Sequence, residues 1–216
     1  MTPLTERIIK SGLAERPLSA SQIERLLGGT QARRYGQVNR ALKAGELLKP
    51  RRGLYVLNPF YRKQTLHPFV LAQQIMPGSY VSAESALDFH GWIPESVHTV
   101  LSMTHGGKSV SYVSELLGKF EYRRMTTNTG YFMQLVARHE LQHQVALIAE
   151  PLRALLDLVY LRKLEWQGLE FLTSGMRIDE QQLRTVTWLD FTRLSDVYKG
   201  KREQAFLEEL QRSLGL

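Results

Sequence analysis

The chain has 216 residues, 43% of them apolar and 23% charged, the balance of a folded globular protein rather than a disordered one. It contains no cysteine, which excludes a disulfide framework, thiolate metal sites and a cysteine nucleophile, and fits the cytoplasm. Met1–Arg7 lacks the basic start and apolar stretch of a signal peptide, and no window holds the roughly 18 apolar residues of a bilayer span, so a cytoplasmic protein without membrane contact is expected.

The net charge of +7 is unevenly placed. Residues 1–63 carry 13 Lys and Arg against 4 Glu, a balance of +9, whereas residues 64–216 carry 15 bases against 17 acids, a balance of −2. A strongly basic module beside a near-neutral one points to a polyanionic partner for the first. A solvated basic face without a partner, or an anionic membrane surface, is the plainer alternative.

In chain order, Thr2-Pro3 opens a short helix whose stripe is Leu4, Ile8 and Ile9 and whose stop is Gly12. Ser19 and Gln22 match a capping box at the head of a second helix, with Ile23, Leu26 and Leu27 inward and Gly28-Gly29 at its end. Thr30 caps a third helix, residues 31–44. At 100° per residue, Tyr35, Val38 and Leu42 share one sector, assigned to the core. Arg33, Gln37 and Arg40 fall opposite, with Arg34 on the flank. Arg and Gln are the side chains that pair with guanine and adenine edges in the major groove.

Two β-prone runs, 46–49 and 54–57, follow, joined by the turn Pro50-Arg51-Arg52-Gly53. Three helices and then a basic hairpin predict a winged helix-turn-helix, with Thr30, Arg33, Arg34, Gln37, Arg40, Lys49, Arg51 and Arg52 contacting double-stranded DNA. An oligomerising or protein-docking winged helix has the same order of elements.

Residues 58–68 read as a linker, and the predicted domains are 1–63 and 64–216. In the second, helices are expected over 69–75, 83–89, from Pro151 onward, 183–194 and 202–214, and strands over 79–82, 98–103, 119–125 and 145–149. Leu152, Leu155, Leu156, Val159 and Tyr160 share a face of the Pro151 helix. The whole is expected to be α+β, an N-terminal winged helix-turn-helix followed by a mixed α/β C-terminal domain.

Enzyme signals are weak. His139-Glu140-Leu141-Gln142-His143 matches H-E-x-x-H, a zinc-protease pattern that requires a helix to bring both His to one metal. Leu141, Val145 and Leu147 instead recur with period two, and in a strand the two His stand about 13 Å apart, too far to share an ion. No third ligand is obvious, although Glu165 could be proposed. Gly107-Lys108-Ser109 echoes a phosphate loop, but Ser102 stands where its first Gly belongs. Glu84, Asp88, Glu121 and Asp157 leave a degraded nuclease as a minor alternative. No catalytic residue, metal or cofactor is expected.

Four segments carry a family likeness: Arg51-Arg52-Gly53-Leu54-Tyr55-Val56; Tyr80-Val81-Ser82 with Ser85-Ala86-Leu87; His90-Gly91; and Ala149-Glu150-Pro151-Leu152-Arg153-Ala154-Leu155-Leu156-Asp157-Leu158. In this order they resemble the AbiEi-type antitoxins of bacterial type IV toxin–antitoxin systems, also called AbiEi-like transcriptional regulators. The last segment is similar to the family's A-x-P-E-[KR]-A-L-L-D run, with Leu152 where the family has its acid. The resemblance implies an autorepressor of its own operon and an antitoxin domain; a homodimer, or two copies on inverted repeats of the promoter, would lengthen the DNA site. That domain would counteract a nucleotidyltransferase-like toxin without necessarily touching it. The alternative is a winged-helix regulator whose second domain senses a ligand or dimerises, with no toxin partner. Taken as residues alone, Ser85-Ala86-Leu87 also reads as helix packing, and Asp157 as a helix-surface charge or an internal cap.

Overall fold

The computed structural model describes residues 1–141 and 143–216. The chain is α+β and divides into two compact units, one of Met1–Pro77 with Tyr112–Gly118 and one of Gly78–Ser111 with Lys119–Leu216. The first division therefore falls at 77/78 rather than 63/64. Its cause is visible at Glu15, whose carboxylate accepts from the backbone N–H groups of Lys63 and Gln64, both at 2.9 Å, and ties the expected linker back to the first unit.

In the first unit, α1 (Pro3–Lys10) starts with Pro at its first turn and buries Leu4 and Ile8, while Ile9 faces solvent. β1 (Leu18–Ser19) leads into α2 (Ala20–Leu27), whose capping box is complete. Gln22 N–H donates to Ser19 Oγ at 3.2 Å, and Ser19 N–H donates to Gln22 Oε1 at 2.8 Å. Gly28 and Gly29 end α2 at φ of 60° and 72°, a backbone that L side chains resist. α3 (Gln31–Lys43) follows at once.

β2 (Leu47–Arg51) and β3 (Leu54–Leu57) form an antiparallel hairpin, and β1 adds to β3, giving the order β1-β3-β2. The register slips between Leu48 and Arg51, where Pro50 has no N–H to give the ladder. Ala20 N–H donates to Gly53 O at 2.9 Å, so the hairpin turn is fixed to the head of α2. Leu4, Ile8, Ile23, Leu27, Ala41, Leu47 and Leu57 form the core beneath. After a 3-10 turn at Pro59–Tyr61, α4 (Pro68–Ile75) completes the segment.

The second unit is built on a mixed sheet. Its strands are β4 (Tyr80–Val81), β5 (Thr99–Thr104), β7 (Gly118–Arg124), β8 (Val136–Leu141) and β9 (Gln144–Ala149), in the order β7-β5-β4-β9-β8; β6 (Val110–Ser114) precedes β7. The pairs β4/β9 and β5/β7 are parallel, and β4/β5 and β8/β9 antiparallel. α5 (Ala83–Phe89) and α6 (Pro151–Arg162) pack on each other, followed by α7 (Glu180–Leu183), α8 (Trp188–Leu194) and α9 (Lys201–Leu214). The helix expected over 183–194 is two, because Asp190 accepts from Thr187 N–H at 2.9 Å and starts a new helix there. The period-two run around His139 is a hairpin rather than one strand, with Leu141 opposite Gln144. β6 was not expected.

The motifs of this unit meet in its core. Arg153 and Asp157, one turn apart on α6, are both 0% exposed and paired at 2.9 Å. Asp157 also accepts from Tyr80 Oη at 2.9 Å, Ser82 Oγ at 2.6 Å and Tyr198 Oη at 2.7 Å. Arg153 donates to Tyr80 Oη at 2.6 Å and to the carbonyls of Gln134 at 3.1 Å and Phe132 at 3.2 Å. Burial favours the neutral guanidine, but the Asp157 carboxylate outweighs it and holds the proton on Arg153. Burial, reinforced by Asp157, pushes both tyrosines up, so they stay protonated as donors. Asp157 is thus a buried acceptor hub, not a surface charge. Ser85 Oγ donates to Thr99 O and accepts from Leu101 N–H, both at 2.9 Å, stitching α5 to β5. Among the described residues, no helix is long and apolar enough to cross a membrane.

Candidate nucleic-acid interface

α3 begins with Thr30, whose Oγ1 accepts from Arg33 N–H at 3.4 Å. Thr30 therefore caps the helix start. Ala41 is the helix's only fully buried residue, with Val38 and Leu42 packed partly against the core on either side. Arg33 and Arg40 lie on the exposed face, and Gln37 is half-buried beside it. Arg40 Nε donates to Gly36 O at 3.3 Å, laying the guanidinium along the helix.

Tyr35 is a correction. Expected in the core, it is 71% exposed. The angular sector was right for Val38 and Leu42, but periodicity does not say how far the core extends along the axis. Tyr35 sits on the N-terminal half, which outruns the core. With Glu24, Arg34, Asn39, Lys49 and Tyr55 it lines a groove of about 210 Å³ between α3, α2 and the hairpin. Two expected contact residues, Arg34 and Lys49, thus share one wall with Tyr35 and Asn39, which sequence reasoning missed. Their signal was present: Tyr35 and Asn39 stand one turn apart among the cations of α3, and both are side chains that suit contact with bases.

At the hairpin, Arg52 is exposed and Arg51 half-buried. Gly53 takes a φ of 78°, closing a two-residue turn that holds Arg52 at the tip. Buried Nε atoms of Arg34 and Arg51 have no hydrogen-bond partner among the described residues.

The electrostatics of this face are distinctive. The unit holds 13 cationic side chains against 5 carboxylates, since Glu115 joins the four of the first segment. Glu46 accepts from Thr2 N–H and Oγ1, both at 2.7 Å, and Glu15 is taken by the backbone. Glu6 lies 4.0 Å from Lys10, and Arg7 donates to the carbonyls of Leu26 and Leu27. Among the described residues, none of Arg33, Arg34, Arg40, Lys49, Arg51 and Arg52 forms an ion pair. Three of the five acids, Glu6, Glu15 and Glu46, are engaged away from α3 and the hairpin, while Glu24 lines the groove beside Arg34 and Lys49 without forming an ion pair with either, so the six cations outnumber the carboxylate beside them.

The second unit offers a cavity of about 680 Å³, lined by Trp92, Gln134, Glu150, Asp190 and Arg193 among others. His139 lies on β8 and His143 in the following turn at a φ of 66°, so the H-E-x-x-H run has no helix to converge its two His; its position 142 lies outside the described residues.

No protein-family model and no curated protein matches this chain. Among solved structures, it is similar to the crystal structure of the RV2827C protein from Mycobacterium tuberculosis, with a TM-score of 0.63 at 15% sequence identity over 100% of this chain and 78% of that one. The likeness is one of fold.

Proposed function

We propose that the first unit is a winged helix-turn-helix that binds duplex DNA in a sequence-specific way. In this reading α3 enters the major groove and the β2–β3 hairpin is the wing. The observation that carries it is the set of cations on α3 and the hairpin that form no ion pair, in a unit of 13 cationic side chains and 5 carboxylates of which Glu6, Glu15 and Glu46 are engaged elsewhere. Arg33, Arg34, Gln37 and Arg40 read bases or flank them, Lys49, Arg51 and Arg52 meet phosphates or the minor groove, and Thr30 holds the helix start in register. The family resemblance extends this to an autorepressor that also acts as antitoxin against a nucleotidyltransferase-like toxin.

The test is a gel shift of the full chain on its own promoter. Arg33→Ala and Gln37→Ala should each cost about 1–3 kcal/mol and relax sequence choice. Equal binding by wild type and both variants refutes the assignment of α3. Growth rescue by the full chain, co-expressed with the product of a neighbouring nucleotidyltransferase-like gene, tests the antitoxin role. The second reading, a regulator that senses a ligand, is favoured by the 680 Å³ cavity with its mixed polar wall. It predicts a small molecule that changes promoter affinity and no rescue.

A further inference from the structure

His90, His139 and Glu150 come from three separate elements of the second unit: the C-terminal end of α5, the middle of β8 and the residue that precedes α6. One ligand-type atom from each lies within 4.8 Å of the others. We propose that these three side chains form a binding site for a divalent transition-metal cation of the zinc type, with two imidazoles and one carboxylate as donors.

The hydrogen bonding supports this assignment. His90 Nε2 lies 2.9 Å from Ala149 O. A carbonyl only accepts, so Nε2 carries the hydrogen and the lone pair of His90 sits on Nδ1. An imidazole that donates its other N–H to a backbone carbonyl is the usual outer support of a metal-bound histidine.

His139 Nε2 donates to Glu150 Oε1 at 3.3 Å, and a bound cation would take the place of that hydrogen. Two donors on a tetrahedral zinc, at bonds of about 2.0–2.1 Å, are themselves about 3.3 Å apart. All three ligand-type atoms lie within 4.8 Å of one another, so a bound cation would draw the three side chains together. Glu150 stands at the N-terminus of α6 without a cap hydrogen bond to its backbone, and its carboxylate turns to His139 instead. Glu150 also lines the 680 Å³ cavity, which provides an entry path. Phe89 packs edge-on to both imidazoles, at 5.0 Å from His90 and 5.3 Å from His139, and shields that side.

This is not the H-E-x-x-H site. Alternation along β8 sends Glu140 to the face opposite His139, and His143 lies in the turn beyond. Sequence spacing paired His139 with the wrong histidine, because its partners lie 49 residues upstream and 11 downstream.

The experiment uses full-length protein stripped with chelator and titrated with zinc chloride by calorimetry. Binding of about one Zn²⁺ per chain is expected, with a rise in melting temperature of about 5–10 °C at a hundredfold excess over Kd. His90→Asn, His139→Gln and Glu150→Gln should each weaken binding about tenfold or more, while His143→Ala binds as wild type. No stoichiometric binding, equal affinity in all three variants, or loss of binding in His143→Ala overturns the proposal. A readout free of substitutions is the visible spectrum of the Co²⁺-loaded wild type. Intense bands of a tetrahedral nitrogen–oxygen site support it, and the weak spectrum of hydrated Co²⁺ overturns it.

Discussion

Asp157→Asn should be the most damaging single-atom change in the protein. The side chain keeps its shape and one acceptor, but the charge goes, and one oxygen becomes an NH₂ group. Arg153, 0% exposed, then keeps its positive charge with only neutral partners: the Phe132 and Gln134 carbonyls and the Tyr80 hydroxyl. Either Asn orientation turns an NH₂ toward a hydroxyl that has been donating, from Tyr198 on one side or from Tyr80 and Ser82 on the other. Removing one member of a buried ion pair costs about 3–5 kcal/mol. For a chain of this size that corresponds to a fall in melting temperature of about 10 °C or more. Circular dichroism melts at pH 7 measure it. A variant within about 1 kcal/mol of wild type would refute the reasoning, because it would mean that water or rearrangement already supports Arg153.

Tyr35→Ala should leave stability within about 0.5 kcal/mol of wild type, since the ring is solvent-facing, yet weaken promoter binding; a core tyrosine would cost several kcal/mol instead. Ser19→Ala should cost about 1 kcal/mol in denaturant unfolding through loss of the α2 cap. Glu46 gives the first unit an acid-sensitive contact. Burial raises its pKa, but donation from Thr2 N–H and Oγ1 prevails and lowers it from 4.5 to about 2. Its folded-state pKa is depressed, so its contribution is complete above pH 4.5 and lost as pH falls to about 2. Stability measured over that window should fall less steeply with acid in Glu46→Gln than in wild type.

Local signals made the first unit largely legible. Ser19 with Gln22, Gly28-Gly29, Thr30 and the Arg52-Gly53 turn are each set by backbone chemistry within a few residues, and each stands where expected. Tyr35 was misplaced because helical angle fixes a face but not the end of the core. In the second unit, Pro151 and the apolar face of α6 announced the helix. The partners of Asp157 did not announce themselves, since Tyr80, Ser82 and Tyr198 lie 77, 75 and 41 residues away. The same holds for His90 and Glu150 beside His139. The split of α7 from α8 was readable in Thr187 and Asp190, a capping pair passed over in favour of apolar periodicity.

The central claim is that α3 and the hairpin hold a duplex through cations no carboxylate neutralises. Salt dependence of promoter affinity, for wild type and for the Arg51→Ala/Arg52→Ala pair, tests it most directly. Log affinity should fall steeply with log salt in wild type, with a slope shallower by about 1.8 in the pair, about 0.9 per phosphate contact removed. An unchanged slope, or a wild type that ignores its promoter even at low salt, would contradict it.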